Sequence, residues 1–299
     1  MHCLIILLIA PLLVGATPYA GEFQDLGAGG RACAMGGTGF AQGVDPSALY
    51  FNPAITRGLL RSLLFMHAEN FGGLVKNEYA AVIMPHSGTT LGLGLQYLSV
   101  NGIKLTTLPD TNQPPGAENP PYAYDTVGTR DAILYANFSR GNDFLGWGGS
   151  LKLYYRNLST ITGYGGGLDL GGCLNLEYLK VGIAVRDFVL APLIWSNGTT
   201  ETIAPLITFA VAPVLPLARI NSRITLECAV QKNIGLPGFS IRSGGEFTYR
   251  NALSGRVGLS STGFTLGAGF RYRKLFVDYA LATHTQLKNT NKFSAGLEF

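Results

Sequence analysis

Apolar and polar residues alternate along most of the chain after residue 60. Between Leu91 and Tyr97 every second residue is apolar, and the same alternation returns at 179–186, 223–231 and 264–273. One face of each segment is apolar, and the other carries glycine, threonine and charged residues. This period of two indicates β-strands that turn one face to lipid and the other to a lumen.

Segments of this kind, bounded by turn residues, number fourteen. They lie near 61–70, 76–84, 89–99, 129–139, 144–157, 165–176, 178–187, 201–212, 220–232, 239–250, 252–260, 263–272, 274–283 and 291–299. The 239 residues after position 60 (299 minus 60) give about 17 per strand and connection, enough for the ~9–11 residues that a tilted strand needs to cross a bilayer. The sequence therefore predicts an all-β fold, a 14-stranded antiparallel transmembrane β-barrel.

The predicted connections differ in length at the two ends of the barrel. Those after even-numbered strands are mostly short, as at 85–88 and 141–143, whereas 100–128 is a long connection with two Pro-Pro pairs. Short turns are typical of the periplasmic side of outer-membrane barrels, and long loops of the outer side. We therefore expect both ends of the barrel in the periplasm and the protein in the bacterial outer membrane.

Composition favours a membrane barrel over a soluble β-protein. Charged residues make up 13% of the chain, against about 25% in soluble domains, and 40 of 299 residues are glycine. A soluble β-sandwich also alternates, but its polar face is usually rich in lysine and glutamate, whereas here it is weighted to arginine. The uncharged segment 203–218 is too short for a spanning helix and contains three prolines.

The N-terminal part of the chain divides in two. Residues 1–20 contain no Asp, Glu, Lys or Arg and include an apolar run of signal-peptide length. They predict a signal peptide at 1–16, with Ala20 as the second choice of cleavage site; a buried N-terminal strand is the alternative. Residues 17–60 then form a separate N-terminal segment before the barrel at 61–299.

Residues 29–54 are the most distinctive stretch, reading GGRACAMGGTGFAQGVDPSALYFNPA. The glycines let the backbone approach a neighbouring wall closely, and Asn52 before Pro53 can cap or turn the chain. The stretch is most simply a packed, irregular insert on which the strands close.

This stretch resembles the N-terminal signature of the PorV/PorQ family, whose members share a fold with the fatty-acid transporter FadL. The matching residues are Gly30, Arg31, Ala32, Met35, Gly36, Gly37, Phe40, Asp45, Ala48, Tyr50, Asn52, Pro53 and Ala54. The resemblance implies an outer-membrane barrel of fourteen strands with an N-terminal hatch, or plug, inside the lumen. Two positions depart from the signature: Pro46 stands where a second acidic residue is expected, and Phe51 where tryptophan is common.

The last predicted strand ends on an aromatic residue. Phe293, Leu297 and Phe299 fall on one face of this strand. A terminal phenylalanine on an amphipathic strand resembles the assembly signal of bacterial outer-membrane barrels. The expected partners are accordingly the barrel-assembly machinery and outer-membrane lipid.

Motifs for catalysis, metal binding and nucleotide binding are absent from the sequence. The four histidines are isolated, no HExxH, CxxC or Gly-x-Ser-x-Gly occurs, and the glycine-rich run lacks the Gly-Lys-Ser/Thr ending of a phosphate-binding loop. Three widely spaced cysteines remain after the signal, and the net charge of +4 is scattered without a basic stripe. We predict no enzyme, cofactor or metal site and no nucleic-acid partner.

Two functions from different classes fit these patterns. The first is binding or transport of a hydrophobic small molecule, captured by extracellular loops, passed to a pocket beside the hatch and released sideways through the wall. The candidate capture residues are Phe188, Val189, Leu190, Leu193, Ile194 and Trp195, with Ile103, Leu105 and Leu108. The second is a non-conducting accessory barrel of a secretion or surface-attachment system, similar to the type nine system, with 108–124 as the partner-binding loop.

The charged residues that fall on the polar face of the predicted strands also have two interpretations. They are Lys152, Arg156, Lys180, Arg186, Arg223, Glu227, Arg242, Glu246, Arg250, Arg256, Arg271 and Asp278. They either pair with one another and with the hatch, or form the polar wall of a permeation route. Pairing is favoured, because buried charges need compensation.

Overall fold

The computed structural model describes residues 20–189 and 191–299, so the predicted signal peptide at 1–16 and Leu190 lie outside the described residues. The strands are β1 Ser62–Asn70, β2 Val75–His86, β3 Thr89–Thr107, β4 Tyr122–Gly141, β5 Leu145–Asn157, β6 Thr162–Asn175, β7 Leu179–Arg186, β8 Ala191–Trp195, β9 Thr200–Ile203, β10 Leu206–Leu217, β11 Ser222–Asn233, β12 Ser240–Tyr249, β13 Leu253–Ser260, β14 Gly263–Tyr272, β15 Leu275–Ala282 and β16 Thr290–Glu298. Within these residues no helix is long and apolar enough to cross a membrane.

The sheet closes on itself. All strand pairs are antiparallel, and the pairings of β1 with β16 and of β5 with β6 complete the ring. β7 and β8 follow one another along β6, and β9 and β10 follow one another along β8 and β7. Each of these two pairs is one wall strand with an interruption. The barrel therefore has fourteen wall strands, and the predicted fold class is confirmed.

The expectation of an extracellular loop is wrong for Leu193, Ile194 and Trp195, because they belong to wall strand β8. Leu193 and Trp195 face the interior, 0% and 6% exposed, and Ile194 faces outward, 57% exposed. The opposing residues on β6 are Gly163 and Gly165, which leave room for these large side chains. Since both faces of β8 are apolar, no alternation marks it as a strand.

The long connection at 100–128 is also shorter than expected. β3 runs to Thr107 and β4 begins at Tyr122, so the two strands rise as a ribbon above the rest of the wall. Register shifts beyond Val100 and at Leu105 bend this ribbon. Only residues 108–121 connect the two strands.

The chain ends of the barrel lie together. The Phe299 N–H donates to the Arg61 carbonyl at 2.9 Å, so β1 begins where β16 ends. The connections β2–β3, β4–β5 and β12–β13 at this end are short, as predicted for the periplasmic side. Outward side chains between the two ends are mainly large and apolar, which suits contact with lipid.

Most of residues 20–60 lie inside the barrel, with Gly58 and Leu60 exposed, and we call residues 20–60 the hatch. Its elements are a 3-10 turn Glu22–Gln24, a first helix Gly30–Ala34, a second helix Ala48–Phe51 and a 3-10 turn Pro53–Thr56. Phe51 packs edge-on against Phe40 and Tyr50, with ring centroids 5.1 and 4.8 Å apart. The first helix lies against β13–β16, and the second 3-10 turn against β4–β6.

Candidate functional site: the lumen around the hatch

Arg31 fastens the first hatch helix to the barrel wall. Its Nε and Nη2 donate to the two carboxylate oxygens of Glu246 at 3.0 and 3.1 Å, and both side chains are buried. Burial lowers the pKa of the Arg31 guanidinium, but the charge and hydrogen bonds of Glu246, together with the charges of Asp45 and Glu227, leave the pKa above its ordinary value. Arg31 is therefore a permanent cation in a fork-to-fork ion pair.

The ion pair of Arg31 is part of a chain of charges across β12, β13 and β15. Arg256 donates to Glu246 at 2.6 Å and to Asp278 at 2.5 Å. One carboxylate, Glu246, thus serves two buried guanidinium groups. The predicted pairing of lumen charges is confirmed here.

The glycines of the signature lie where the hatch backbone touches the wall. The Gly30 N–H donates to Ser294 Oγ at 3.1 Å, and a Cβ on Gly30 would lie 2.9 Å from that oxygen. Gly36 has φ of 74°, and a Cβ there would lie 2.5 Å from the Leu259 carbonyl oxygen. Gly37 also has positive φ, and the Met35 between helix and glycines is buried. Side chains at these glycines would push the hatch off the wall.

Glu227 of β11 holds the next hatch segment. Its Oε1 accepts the backbone N–H groups of Gly39, Phe40 and Ala41 at 2.9, 2.6 and 3.1 Å. Three converging N–H groups form a pocket for negative charge. The alternation predicted the lumen position of Glu227 but not this contact.

Asn52 ties the end of the hatch to itself and to the wall. Its Oδ1 accepts the Ala54 N–H at 3.0 Å, which caps the 3-10 turn begun by Pro53. Its Nδ2 donates to the carbonyls of Phe40 and Gly172 at 2.8 and 3.2 Å. The capping role expected of Asn52 is confirmed by this geometry.

Pro46 and Phe51, the two positions that depart from the resembled signature, lie inside the hatch. Asp45 is buried and accepts the Ser47 N–H at 2.8 Å, in the turn that contains Pro46. Phe51 fills the place of the expected tryptophan between two aromatic rings.

A second buried charge cluster lies at the interruption between β7 and β8. Lys152 Nζ is 2.7 Å from Asp169 Oδ1 and 2.9 Å from Asp187 Oδ1, and it donates to Gln24 Oε1 of the hatch at 2.9 Å. Asp187 has φ of 52° and accepts from Tyr154 OH at 2.5 Å. The parity of β5 predicted an inward Lys152. No sequence signal marked Asp169, Asp187 or Gln24 as its partners, because they come from distant segments.

A cavity of about 250 Å³ lies above the hatch, and we call it the extracellular cavity. Its rim includes the β1–β2 and β13–β14 turns and His284, and its lining includes Leu26, Ala28, Phe40, Tyr50, Phe51, Arg186, Arg242 and Lys292. Lys292 Nζ donates to the Leu26 and Gly27 carbonyls, and Arg242 Nε to Gln231 Oε1 at 2.7 Å. In the described residues neither cation has a carboxylate within 4.0 Å. The cavity is thus mainly apolar on its hatch side, where Asp25 is the charged residue of the described lining, and cationic on its wall side.

A cavity of about 280 Å³ lies below the hatch, and we call it the periplasmic cavity. Asn251 and Ala252 of the β12–β13 turn form part of its rim. Its lining is strongly charged: Arg31, Asp45, Arg223, Glu246, Arg256, Arg271, Asp278 and Glu298. The hatch therefore separates an amphipathic compartment from a polar one.

The other predicted residues are spread over the molecule. Phe188 lies in the interruption between β7 and β8, Leu193 and Trp195 pack inside the barrel, and Ile194 faces outward, so these residues form no common capture surface. Phe293, Leu297 and Phe299 are exposed on the outer face of the last strand, as their parity predicted. Arg250, expected in the lumen, lies instead in the turn after β12, because β12 ends at Tyr249.

The histidines do not assemble a catalytic group in the described part of the chain. His67 Nδ1 pairs with Glu78 at 2.6 Å on the outer wall, and His284 Nδ1 accepts the Gln286 and Leu287 N–H groups. Across residues 20–189 and 191–299, no three His, Cys, Asp or Glu side chains are placed to hold a metal ion.

The fold and the lumen define a class: an outer-membrane β-barrel with a hatch inside. No protein-family model matches the sequence, and no curated protein is similar to it in sequence. In structure the chain is similar to the Pseudomonas putida toluene transporter TodX, with a TM-score of 0.59 and 12% identity over 90% of this chain and 96% of that one. A TodX variant described as a monoaromatic hydrocarbon channel with a deltaS2 mutation gives a TM-score of 0.59 and 13% identity over 91% and 97%. These likenesses show the barrel fold.

Proposed function

We propose that this protein is an outer-membrane channel that binds a hydrophobic small molecule in the extracellular cavity and passes it through the wall. The observation that carries the proposal is the cavity itself, which pairs an apolar hatch surface with the cations Arg242 and Lys292. TodX, of similar fold, is a toluene transporter. The signature at 29–54 further supports a relationship to the PorV/PorQ family.

The cations of the extracellular cavity favour a ligand with an acidic group. A buried cation without a counter-ion is costly, and a bound anion removes that cost. Lys292 is buried and, within the described part of the chain, is compensated only by hatch carbonyls, while Arg242 has a guanidinium edge left for a ligand. The apolar part of the ligand would then lie on Phe40, Tyr50 and Phe51. An amphipathic carboxylate fits this division.

A route through the wall is supported by the interruption between β7 and β8. Asp25 and Arg186, joined at 2.7 Å, line both the extracellular cavity and a smaller cavity of about 110 Å³. The smaller cavity is lined by Asp187, Ile203 and Ala204, at the two strand interruptions. A ligand that passes the Asp25–Arg186 pair reaches the two places where wall strands are interrupted, between β7 and β8 and between β9 and β10.

Ligand binding to the full chain in detergent tests this proposal. Calorimetric titration with decanoic acid and with decanol should show tighter binding of the acid. Arg242→Gln should weaken acid binding about tenfold to a hundredfold, the value of one charge-assisted hydrogen bond, and leave decanol binding unchanged. Arg219→Gln, a matched change in an exposed turn, should bind both as the parent does. If neither decanoic acid nor decanol binds the parent chain, the channel proposal is refuted. If Arg242→Gln weakens binding of the acid and of the alcohol equally, the proposal of an acidic ligand is refuted.

A second function, docking of a secretion or surface-attachment partner, is favoured by the order of the β3–β4 tip. Asn119 is buried; its Oδ1 accepts the Asp110 N–H at 3.1 Å, and its Nδ2 donates to the Asp110 and Gln113 carbonyls at 2.8 and 3.0 Å. A loop held in one conformation loses less entropy on binding a partner. The proline-rich surface of the tip is therefore suited to recognition.

Co-purification from the native membrane tests the docking function. Asn119→Ala should remove the hydrogen bonds that order the tip. The yield of any co-purifying protein should then fall severalfold, because the loop loses its preorganisation. Asn112→Ala, an exposed change in the same loop, is the control. Quantitative mass spectrometry gives the yields. A partner retained at parental yield by Asn119→Ala and by deletion of residues 108–121 would exclude this loop as the docking site.

A further inference from the structure

Two neighbouring turns at the periplasmic end of the barrel share one arrangement, an outward tyrosine followed by an arginine. Arg250 follows Tyr249 in the β12–β13 turn, and Arg273 follows Tyr272 in the β14–β15 turn. Each guanidinium carbon lies over the ring of the preceding tyrosine, 5.1 and 5.4 Å from the ring centroid. Because β13 and β14 are neighbours in the wall, the two turns lie side by side.

The two tyrosines mark the edge of the apolar outer surface. Tyr249 and Tyr272 are exposed, and the residues opposite them in the ladder, Leu253 and Leu275, are exposed on the same outer face. Aromatic side chains at the ends of barrel strands lie at the interface between the hydrocarbon core and the headgroups. A guanidinium stacked on such a ring is therefore held at the depth of the lipid phosphates.

The two turns carry three cations and no acidic residue. Arg250, Arg273 and Lys274 are exposed, and in the described part of the chain none of them lies within 4.0 Å of a carboxylate. Glu298, whose N–H donates to the Lys274 carbonyl, directs its carboxylate to Arg271, and both line the periplasmic cavity. The three outer cations are thus available to an anion from the membrane.

The backbone of both arginines is strained. Arg250 has φ of 50° and Arg273 has φ of 54°, in the left-handed region that favours glycine and asparagine. Glycine would adopt either conformation without this cost. Strained residues of this kind concentrate at functional sites, so the strain indicates a function for the arginine side chains.

We propose that Arg250, Arg273 and Lys274 bind the phosphate of an anionic phospholipid in the leaflet at this end of the barrel. A planar guanidinium donates two parallel hydrogen bonds to a phosphate, and Lys274 adds a third positive charge beside it. The tyrosine rings and the outward leucines contact the upper part of the acyl chains. Because the rings fix the guanidinium groups at the membrane surface, a lipid headgroup fits this surface better than an acidic protein of the periplasm.

Electron spin resonance of spin-labelled lipids tests this surface, with the full chain reconstituted in phosphatidylcholine membranes. Spin-labelled phosphatidylglycerol should associate with the parent at least twofold more strongly than spin-labelled phosphatidylcholine, and high salt should reduce this preference. The triple variant Arg250→Gln, Arg273→Gln, Lys274→Gln should lose the preference. The probes are lipids and the surface is on the outside of the barrel, so the result is independent of decanoic acid binding inside it.

Two further variants separate the lipid contact from net charge and from folding. The triple variant Lys104→Gln, Arg130→Gln, Lys288→Gln removes three exposed cations at the opposite end of the barrel and should keep the preference. Arg273→Gly should be at least as stable as the parent, because glycine relieves the φ of 54°, and should still weaken the association of phosphatidylglycerol. Heat-modifiable migration on gels confirms that each variant is folded.

Three results in the lipid measurement would overturn the proposal. They are absence of a phosphatidylglycerol preference in the parent, an unchanged preference in the periplasmic triple variant, and an equal loss in the two triple variants. If an acidic protein co-purifies with the parent but not with the periplasmic triple variant, and no lipid preference is found, the surface binds a protein instead.

Discussion

Replacement of Glu246 by alanine is expected to lower the free energy of unfolding by about 3–5 kcal/mol. Glu246 accepts from Arg31 of the hatch and from Arg256 of the wall, and all three side chains are buried. Its removal leaves two guanidinium groups without their shared anion in a site that water reaches poorly. Equilibrium unfolding in guanidinium chloride, in detergent micelles, measures the loss.

The same substitution should loosen the hatch. Arg31 is the ion-pair anchor of the first hatch helix, so ion conductance through the barrel in planar bilayers should rise above that of the parent. Glu177→Ala, in an exposed periplasmic turn, removes the same charge without breaking a buried pair and serves as the control. Parental stability and parental conductance in Glu246→Ala would contradict the role assigned to this ion pair.

Lys152→Met is expected to have an effect of similar size. Lys152 is 0% exposed and is the shared cation of Asp169 and Asp187. Its removal leaves two buried carboxylates without a cation and should lower the free energy of unfolding by about 3–5 kcal/mol. Because Asp187 lies at the interruption between β7 and β8, the loss of stability should begin locally. Hydrogen exchange of the backbone amides at 187–195 should accelerate before that of the other wall strands.

A double-mutant cycle separates this ion pair from general damage. Asp187→Asn removes one stranded charge, and asparagine tolerates the φ of 52° at this position. The double variant Lys152→Met, Asp187→Asn should therefore be less destabilised than the sum of the single variants, by about 0.5–3 kcal/mol. Strict additivity would show that the two side chains do not stabilise each other.

The two charge clusters explain how a hatch is held inside a smooth barrel. Backbone hydrogen bonds of the strands are used up within the wall, so the hatch must attach through side chains. Glu246 holds the first helix, Glu227 the segment 39–41, and Lys152 reaches Gln24 near the N-terminal end. Each anchor is a charged group whose burial would be unfavourable without the hatch, which makes hatch docking and barrel stability mutually dependent.

The sequence by itself determined the wall and the position of most lumen charges. A strand has a period of two, and lipid accepts only apolar side chains, so the alternation shows both the strands and their inward faces. The signature at 29–54 predicted a packed insert, because its glycines permit close backbone approach. The inward parity of Lys152, Glu227 and Glu246 follows from the same pattern.

Only the tertiary structure decided which groups meet. Arg31 and Glu246 are 215 positions apart, and no local pattern encodes such a contact. Strand β8 was not predicted, because both of its faces are apolar. Leu193 packs in the lumen and Ile194 faces outward. Alternation specifies the face on which a side chain lies, whereas ion pairing, cavities and the break in the wall depend on closure of the sheet around the hatch.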